Sequence, residues 1–228
     1  MFVFPVHLLN PASIKAGVVG RVISGGEALN GETDAIETDG GGRWEITFSG
    51  ITLRTLDQRR LWEAWGPSLT GARRVLVPIV SPRTAPRPVA GGRLATPSPL
   101  VANDPVFPTS VTRGIPYMVG TVVSNAALRA TTLVINVSQG AISLHADALG
   151  IGGRAYKIER VQSRTGQQAT VTISPPLRAA VTAGTAINFD WPVVQCVARI
   201  GQDLTPEVQY GDRAEVSISF VEDFADAG

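Results

Sequence analysis

Trp44-Glu45-Ile46-Thr47-Phe48-Ser49 sets an apolar side chain at every second position and a polar one between. Successive side chains of an extended chain point to opposite faces, so this stretch reads as a strand with one face buried and one wet. The same period returns in Leu133-Val-Ile135-Asn-Val137, Tyr156-Lys-Ile158, Val171-Thr-Ile173, Val194-Gln-Cys196-Val-Ala198-Arg-Ile200 and Val216-Ser-Ile218-Ser-Phe220. Turn formers stand between these runs: Gly25-Gly26, Asn30-Gly31, Asp39-Gly40-Gly41-Gly42, Gly152-Gly153, Thr165-Gly166 and Tyr210-Gly211-Asp212. Strands reversed by such turns predict an all-β, mainly antiparallel fold.

Composition agrees. The 228 residues include 24 Gly and 16 Pro, about a sixth of the chain against a usual ~12%, which favours turns over long helices. Twenty basic residues against 19 acidic ones leave a formal charge of +1, so no global field selects nucleic acid or an anionic membrane. The longest apolar runs, such as Val75 to Val80, reach six or seven residues, far below the ~20 that span a bilayer, and no membrane insertion is expected. Met1-Phe-Val-Phe-Pro-Val has neither a basic leader nor a small-residue cleavage site, so secretion is not expected either. The single cysteine, Cys196, excludes an internal disulfide and a cysteine-based zinc site, and its apolar strand makes it a small core residue.

Charge and proline divide the chain into three parts. Residues 1–80 hold eight basic and eight acidic side chains, residues 81–113 four Arg and one Asp, and residues 114–228 eight basic and ten acidic. The middle part carries seven prolines in 33 residues and no apolar period, so it reads as an extended connector or an arm lying on a neighbour. Within the first part, Leu61, Trp62 and Trp65 share one arc of a helical wheel while Asp57, Arg59, Arg60 and Glu63 take the other. A short amphipathic helix is expected near 55–66, capped by Thr55, stopped by Gly66-Pro67 and fastened across a sheet edge by its tryptophans. The first part is then a β module closed by the strand Arg74 to Val80. The last part is a second β domain that can complete the first.

No constellation carries chemistry. Ser143-Leu-His145-Ala-Asp147 sets a hydroxyl, an imidazole and a carboxylate on one strand face, but a straight strand does not supply a triad's depth order. Gly150-Ile-Gly152-Gly153 lacks the helix that would hold a phosphate and reads as a turn. Gly40 to Gly42 supplies positive φ before a strand and offers a flexible loop for contact between subunits. Asn136-Val-Ser138 fits a glycosylation sequon by coincidence, and Glu222-Asp-Phe-Ala-Asp226 reads as a solvated acidic end without cation-loop spacing. The arginines of 81–113 are interrupted by prolines rather than aromatics, which does not make a platform for single strands. Catalytic, cofactor-binding and metal-binding residues are therefore all expected to be none, and the chain is not expected to be an enzyme.

Three stretches in the second half, Gly140-Ala-Ile142-Ser through Gly153-Arg-Ala-Tyr156-Lys-Ile158-Glu-Arg-Val161, Val171-Thr-Ile-Ser-Pro175-Pro176-Leu177-Arg178 and Ala183-Gly184-Thr-Ala-Ile-Asn188-Phe-Asp190, resemble minor tail proteins of long-tailed bacteriophages and gene-transfer particles. Gly42-Arg-Trp44, Leu61-Trp-Glu-Ala-Trp65 and Gly71-Ala-Arg-Arg74-Val-Leu-Val-Pro78 are similar to the matching upstream module. Together these stretches cover about half the chain.

The resemblance implies a distal tail protein of the tail tip or baseplate: a tail-tube-like β-barrel or sandwich module plus a second β domain. Such a protein forms a six-membered ring that joins the tail tube to the hub around the DNA conduit. Implied partners are further copies of the chain, the tail tube protein and hub or baseplate proteins, without sequence-specific nucleic-acid binding. Implied locations are the virion and, during synthesis, the bacterial host cytoplasm. Two other readings are a tail tube or terminator ring subunit, and a carbohydrate- or receptor-binding module with Tyr156, Trp191 and Tyr210 as sugar-stacking candidates.

Overall fold

The Trp44–Ser49 alternation lies in the first part of an eleven-residue strand, Arg43–Leu53, in the structure of the protein, a computed structural model. The structure describes residues 2–20, 22–27, 33–37, 41–70, 73–79, 89–90, 93–94, 99–101, 112–114, 118–139, 147–189, 191–209 and 213–225. The strands are, in chain order, β1 (Ser13–Val19), β2 (Val22–Glu27), β3 (Thr33–Glu37), β4 (Arg43–Leu53), β5 (Val75–Pro78), β6 (Val89–Ala90), β7 (Arg93–Leu94), β8 (Pro99–Val101) and β9 (Thr112–Gly114). There follow β10 (Val119–Val122), β11 (Thr132–Gln139), β12 (Ala148–Ile151), β13 (Arg154–Thr165), β14 (Gln168–Ser174), β15 (Ala186–Asn188), β16 (Val193–Ala198), β17 (Glu207–Gln209) and β18 (Arg213–Glu222). Helices α1 (Val6–Leu9) and α2 (Leu56–Thr70) accompany them. The fold is mostly antiparallel β.

Two large assemblies share the chain. A six-stranded sheet runs β1-β4-β18-β16-β5, with β17 beside β18, while β10-β11-β14-β13-β12-β15 close into a barrel. The strands from Val193 onward thus return to the sheet begun by residues 13–78, and the barrel lies between β5 and β16 in sequence. Outside these, β2 pairs with β3, β6 with β7 and β8 with β9. The proline-rich part therefore includes two short ladders among its described residues.

β4 shows how the sheet keeps one face apolar. Trp44, Ile46 and Phe48 point into the core, but so do Ile51 and Leu53, one step out of phase. Val216 lies opposite Ile51 and Ile218 opposite Phe48, so Ser49 and Gly50 share the place facing Ser217. This bulge absorbs the extra residue. Gly50 has φ +66°, and a Cβ there would come within 2.8 Å of the Ala12 Cβ, so the site takes only glycine without strain.

Helix α2 covers the apolar face. The Thr55 hydroxyl accepts from Gln58 N at 3.2 Å, and the Gln58 side-chain oxygen accepts from Thr55 N and Arg54 N, forming a capping box. Trp62 and Leu69, seven apart, are buried, with Leu61 and Trp65 packed beside them. The helix does not stop at Gly66-Pro67 as expected; it includes Pro67 and ends at Thr70. Proline removes one N–H and so one bond to the preceding turn, near the helix end, and burial of Leu69 holds the last turn in place.

Gly25-Gly26 does not reverse the chain; it lies inside β2, where a register shift between Ser24 and Glu27 and φ +109° at Gly26 mark a bulge. Asn30-Gly31, Gly40 and Tyr210-Gly211-Asp212 lie outside the described residues. Gly152-Gly153 is the two-residue turn between β12 and β13, with φ +58° and +76°, the signs of a type I′ hairpin.

The barrel has its own core of Leu133, Ile135, Val171, Ile173, Tyr156, Ile158, Phe189 and neighbours, separate from the sheet's. β13 belongs to both: Ala155 packs in the sheet core and Tyr156 in the barrel core.

Candidate functional site

A network of buried and part-buried polar groups forms the seam where barrel meets sheet. Arg178, on the segment after β14, donates to both Glu222 carboxylate oxygens, at 3.1 and 3.4 Å, and to Gly42 O, and lies 4.3 Å above the Phe224 ring. Glu222 also accepts from Trp44 N at 2.9 Å, so the carboxylate joins β4, β18 and the barrel. Arg154 donates to the Asp223 and Ala225 carbonyls, Gln195 to Ala225 O at 2.8 Å, and Arg74 pairs with Asp223 at 2.6 Å. Trp44 Nε1 donates to Ala155 O at 2.7 Å. Charges withdrawn from water need partners of this kind, and here they are cross-linked between two cores.

This corrects the reading of Glu222-Asp-Phe-Ala-Asp226 as a solvated acidic end over its described part, Asp226 lying outside the described residues. Glu222 is 5% exposed and its segment is gripped by three arginines. The signal was present: Val216, Ile218 and Phe220 alternate inward, and Glu222 continues their phase. Gln195 falls on the polar phase of the Val194–Ile200 alternation, yet it is buried because the terminal segment covers it.

The seam also takes up residues singled out for other roles. Tyr156 is buried and its hydroxyl accepts from Arg178 N at 3.1 Å, so the ring has no face for a sugar. Trp191 packs against the sheet core with its backbone N–H donating to Asn188 Oδ1, and Tyr210 lies outside the described residues. Gly41 and Gly42 have φ +106° and +84°; a Cβ on Gly41 would run into Pro176, and Gly42 O receives Arg178. Both glycines contact the barrel of their own chain.

Burial pushes the Tyr156 phenol above its usual 10.0, opposed by the hydrogen bond from Arg178 N. Because the folded-state value is the higher one, this stabilisation is full below pH 10 and lost as pH rises through the folded-state value. Denaturation measured between pH 8 and 11.5 should show stability falling, and Tyr156→Phe should flatten that fall. The Cys196 thiol, raised by burial, contributes a fall of the same sign.

A second surface lies on the sheet face away from α2. Arg43, Glu45, Thr47 and Ser49 of β4 alternate with the buried residues and face outward beside Ser219 and Val221 of β18. Glu45 sits between Arg43, at 3.4 Å, and Arg199, both about half exposed. A groove of about 440 Å³ opens there, bordered by Val197, Val221 and the fully exposed Ile200.

No group of three or more His, Cys, Asp or Glu able to hold a metal occurs among the described residues. Asp147 is buried at the start of the barrel hairpin, whereas Ser143 and His145 lie outside the described residues. His7 is on α1 at the surface and Cys196 is in the sheet core. Gly150, Gly152 and Gly153 form a strand end and turn, and Asn136 and Ser138 lie within β11. No helix among the described residues is long and apolar enough to cross a membrane. Neither a protein-family model nor a curated protein matches the chain.

Proposed function

We propose that the chain is a structural subunit of a phage-type tail tip or baseplate, a distal tail protein. Copies of it associate, as a six-membered ring in the family it resembles, to join the tail tube to the hub around the DNA conduit. The observation that carries this reading is the edge of the six-stranded sheet. β1 pairs with β4 on one side over seven residues, Ser13↔Ser49 to Val19↔Arg43, and with no strand among the described residues on the other. At the opposite edge, β5 is flanked by the segment around Val3, which bonds both Leu76 N and Leu76 O through Phe2 and Phe4. A strand edge of this length, with one lysine, no proline and no second neighbour among the described residues, suits pairing with another chain. Heterologous edge contacts of this kind close into rings when the rotation allows. The closed barrel has no edges and adds a rigid second body.

Light scattering after gel filtration, with negative-stain microscopy, tests the reading. The purified chain should form rings with a central hole. N–H groups of adjacent strand residues point to opposite sides, so one of Ala16→Pro and Gly17→Pro removes an outward donor without touching the β4 ladder. That variant should keep the β-type circular dichroism and associate at least tenfold more weakly. A chain that stays monomeric at high concentration, or rings indifferent to both substitutions, would refute the proposal. Long polymers would favour a tube subunit instead.

A further inference from the structure

We infer that the groove beside Ile200 on the outer sheet face docks an extended protein segment carrying carboxylates between aliphatic side chains. The inference goes beyond ring formation, since it concerns a different face from the β1 edge and a different kind of chain.

Ile200 is 96% exposed. An isolated apolar residue at a surface is ordinary, but this one stands on a braced tip. Arg199 N donates to Ser219 O at 2.8 Å, and Gln202 both donates to Ser219 O at 2.9 Å and accepts from Ser219 N at 2.8 Å. Beyond it, Trp62 Nε1 holds Leu204 O at 2.8 Å and Thr205 N donates to Asp203. A side chain held at such a tip loses little freedom when a partner covers it.

Charge selects the partner. Arg43 and Arg199 bracket the single Glu45, and each gives one N–H to it. The other two acids of the rim already have partners, Glu222 in Arg178 at 3.1 Å and Asp223 in Arg74 at 2.6 Å. Counted with those two partners, four arginines meet three carboxylates around the groove, one cation in excess, and a guanidinium's five donors outnumber those spent here. A carboxylate from outside would complete the pairing in the bidentate geometry arginine favours.

The floor is aliphatic. Val197 and Val221 are register partners across β16 and β18, and Val221 is in turn paired with Glu45, so two valines and the acid form one row. An extended segment laid over that row presents alternate side chains to it. Its aliphatic groups would meet Val197, Val221 and Ile200, and its acids the two arginines. One surplus cation above an apolar floor suits a protein segment better than a nucleic-acid backbone, whose binding grows with the number of phosphates neutralised.

Fluorescence polarisation with the full chain and three probes tests this: a labelled peptide Ser-Val-Glu-Val-Asp-Leu-Ser, the same peptide with lysines for both acids, and a labelled 12-bp DNA duplex. The acidic peptide should bind at least tenfold more tightly than the basic one, and added salt should weaken it. Arg199→Glu and Ile200→Asp should each lower its affinity at least tenfold while the thermal midpoint stays within a few degrees. The assembly-deficient β1 variant should bind it as the wild type does, so failure of the ring and failure of the groove give different results. No binding, equal binding of both peptides, indifference to both substitutions, or tighter binding of the duplex would each overturn the inference.

Discussion

Arg178→Met is expected to destabilise the protein by about 3–5 kcal/mol, the usual cost of stripping one partner from a buried ion pair. The Arg178 and Glu222 side chains are 13% and 1% exposed, so water cannot replace the guanidinium. The substitution also removes the donor to Gly42 O and the cation above Phe224. Urea denaturation followed by tryptophan fluorescence reads the loss. Because Arg178 spans barrel and sheet, the variant should also unfold in two steps where the wild type unfolds in one. Adding Glu222→Gln, which keeps an acceptor for Trp44 N, should recover more than 1 kcal/mol, since no uncompensated charge remains. A single-variant loss below 1 kcal/mol would mean that the seam contributes nothing beyond packing.

Phe48→Ala should cost a comparable 3–5 kcal/mol by a different route. Phe48 is fully buried, stacks on Phe4 at 5.5 Å and meets the Phe220 edge at 6.2 Å. Phe4 in turn contacts Trp65 of α2 and Phe220, so one ring ties the start of the chain, β4, β18 and the helix together. Truncation leaves a cavity walled by strands that cannot move together without breaking ladder bonds. Differential scanning calorimetry should show the thermal midpoint falling by well over 5 °C, whereas Thr47→Ala, on the opposite face of the same strand, should change it by little.

The amino-acid order made the strands legible and left their grouping hidden. Alternation marks β4, β11, β14 and β18 because each has one buried face, whereas β16 is covered on both. It carries no sign of which strands are neighbours, so the return of β16 and β18 to the sheet of β1, β4 and β5 could be seen only in space. Local rules failed where tertiary contacts overrode them. Burial of Leu69 carries α2 past a proline that ends most helices, and a bulge at Gly26 turns a reversal signal into a strand interior. The seam was missed because its residues come from four distant segments. Arg74, Arg154, Arg178 and Asp223 each look like surface charge in sequence, and only their convergence gives them a role.

The placement of the barrel between β5 and β16 bears on how the chain finds its shape. Pro78 and Val193 are register partners more than a hundred residues apart, so the sheet must close a long loop before its two halves can meet. Barrel closure pairs Val119 with Asn188, which draws together the two arms of chain leading to that encounter. The inserted body thus acts as a clasp: once shut, it shortens the search that separates the first strands from the last, and weakening it should slow maturation of the sheet.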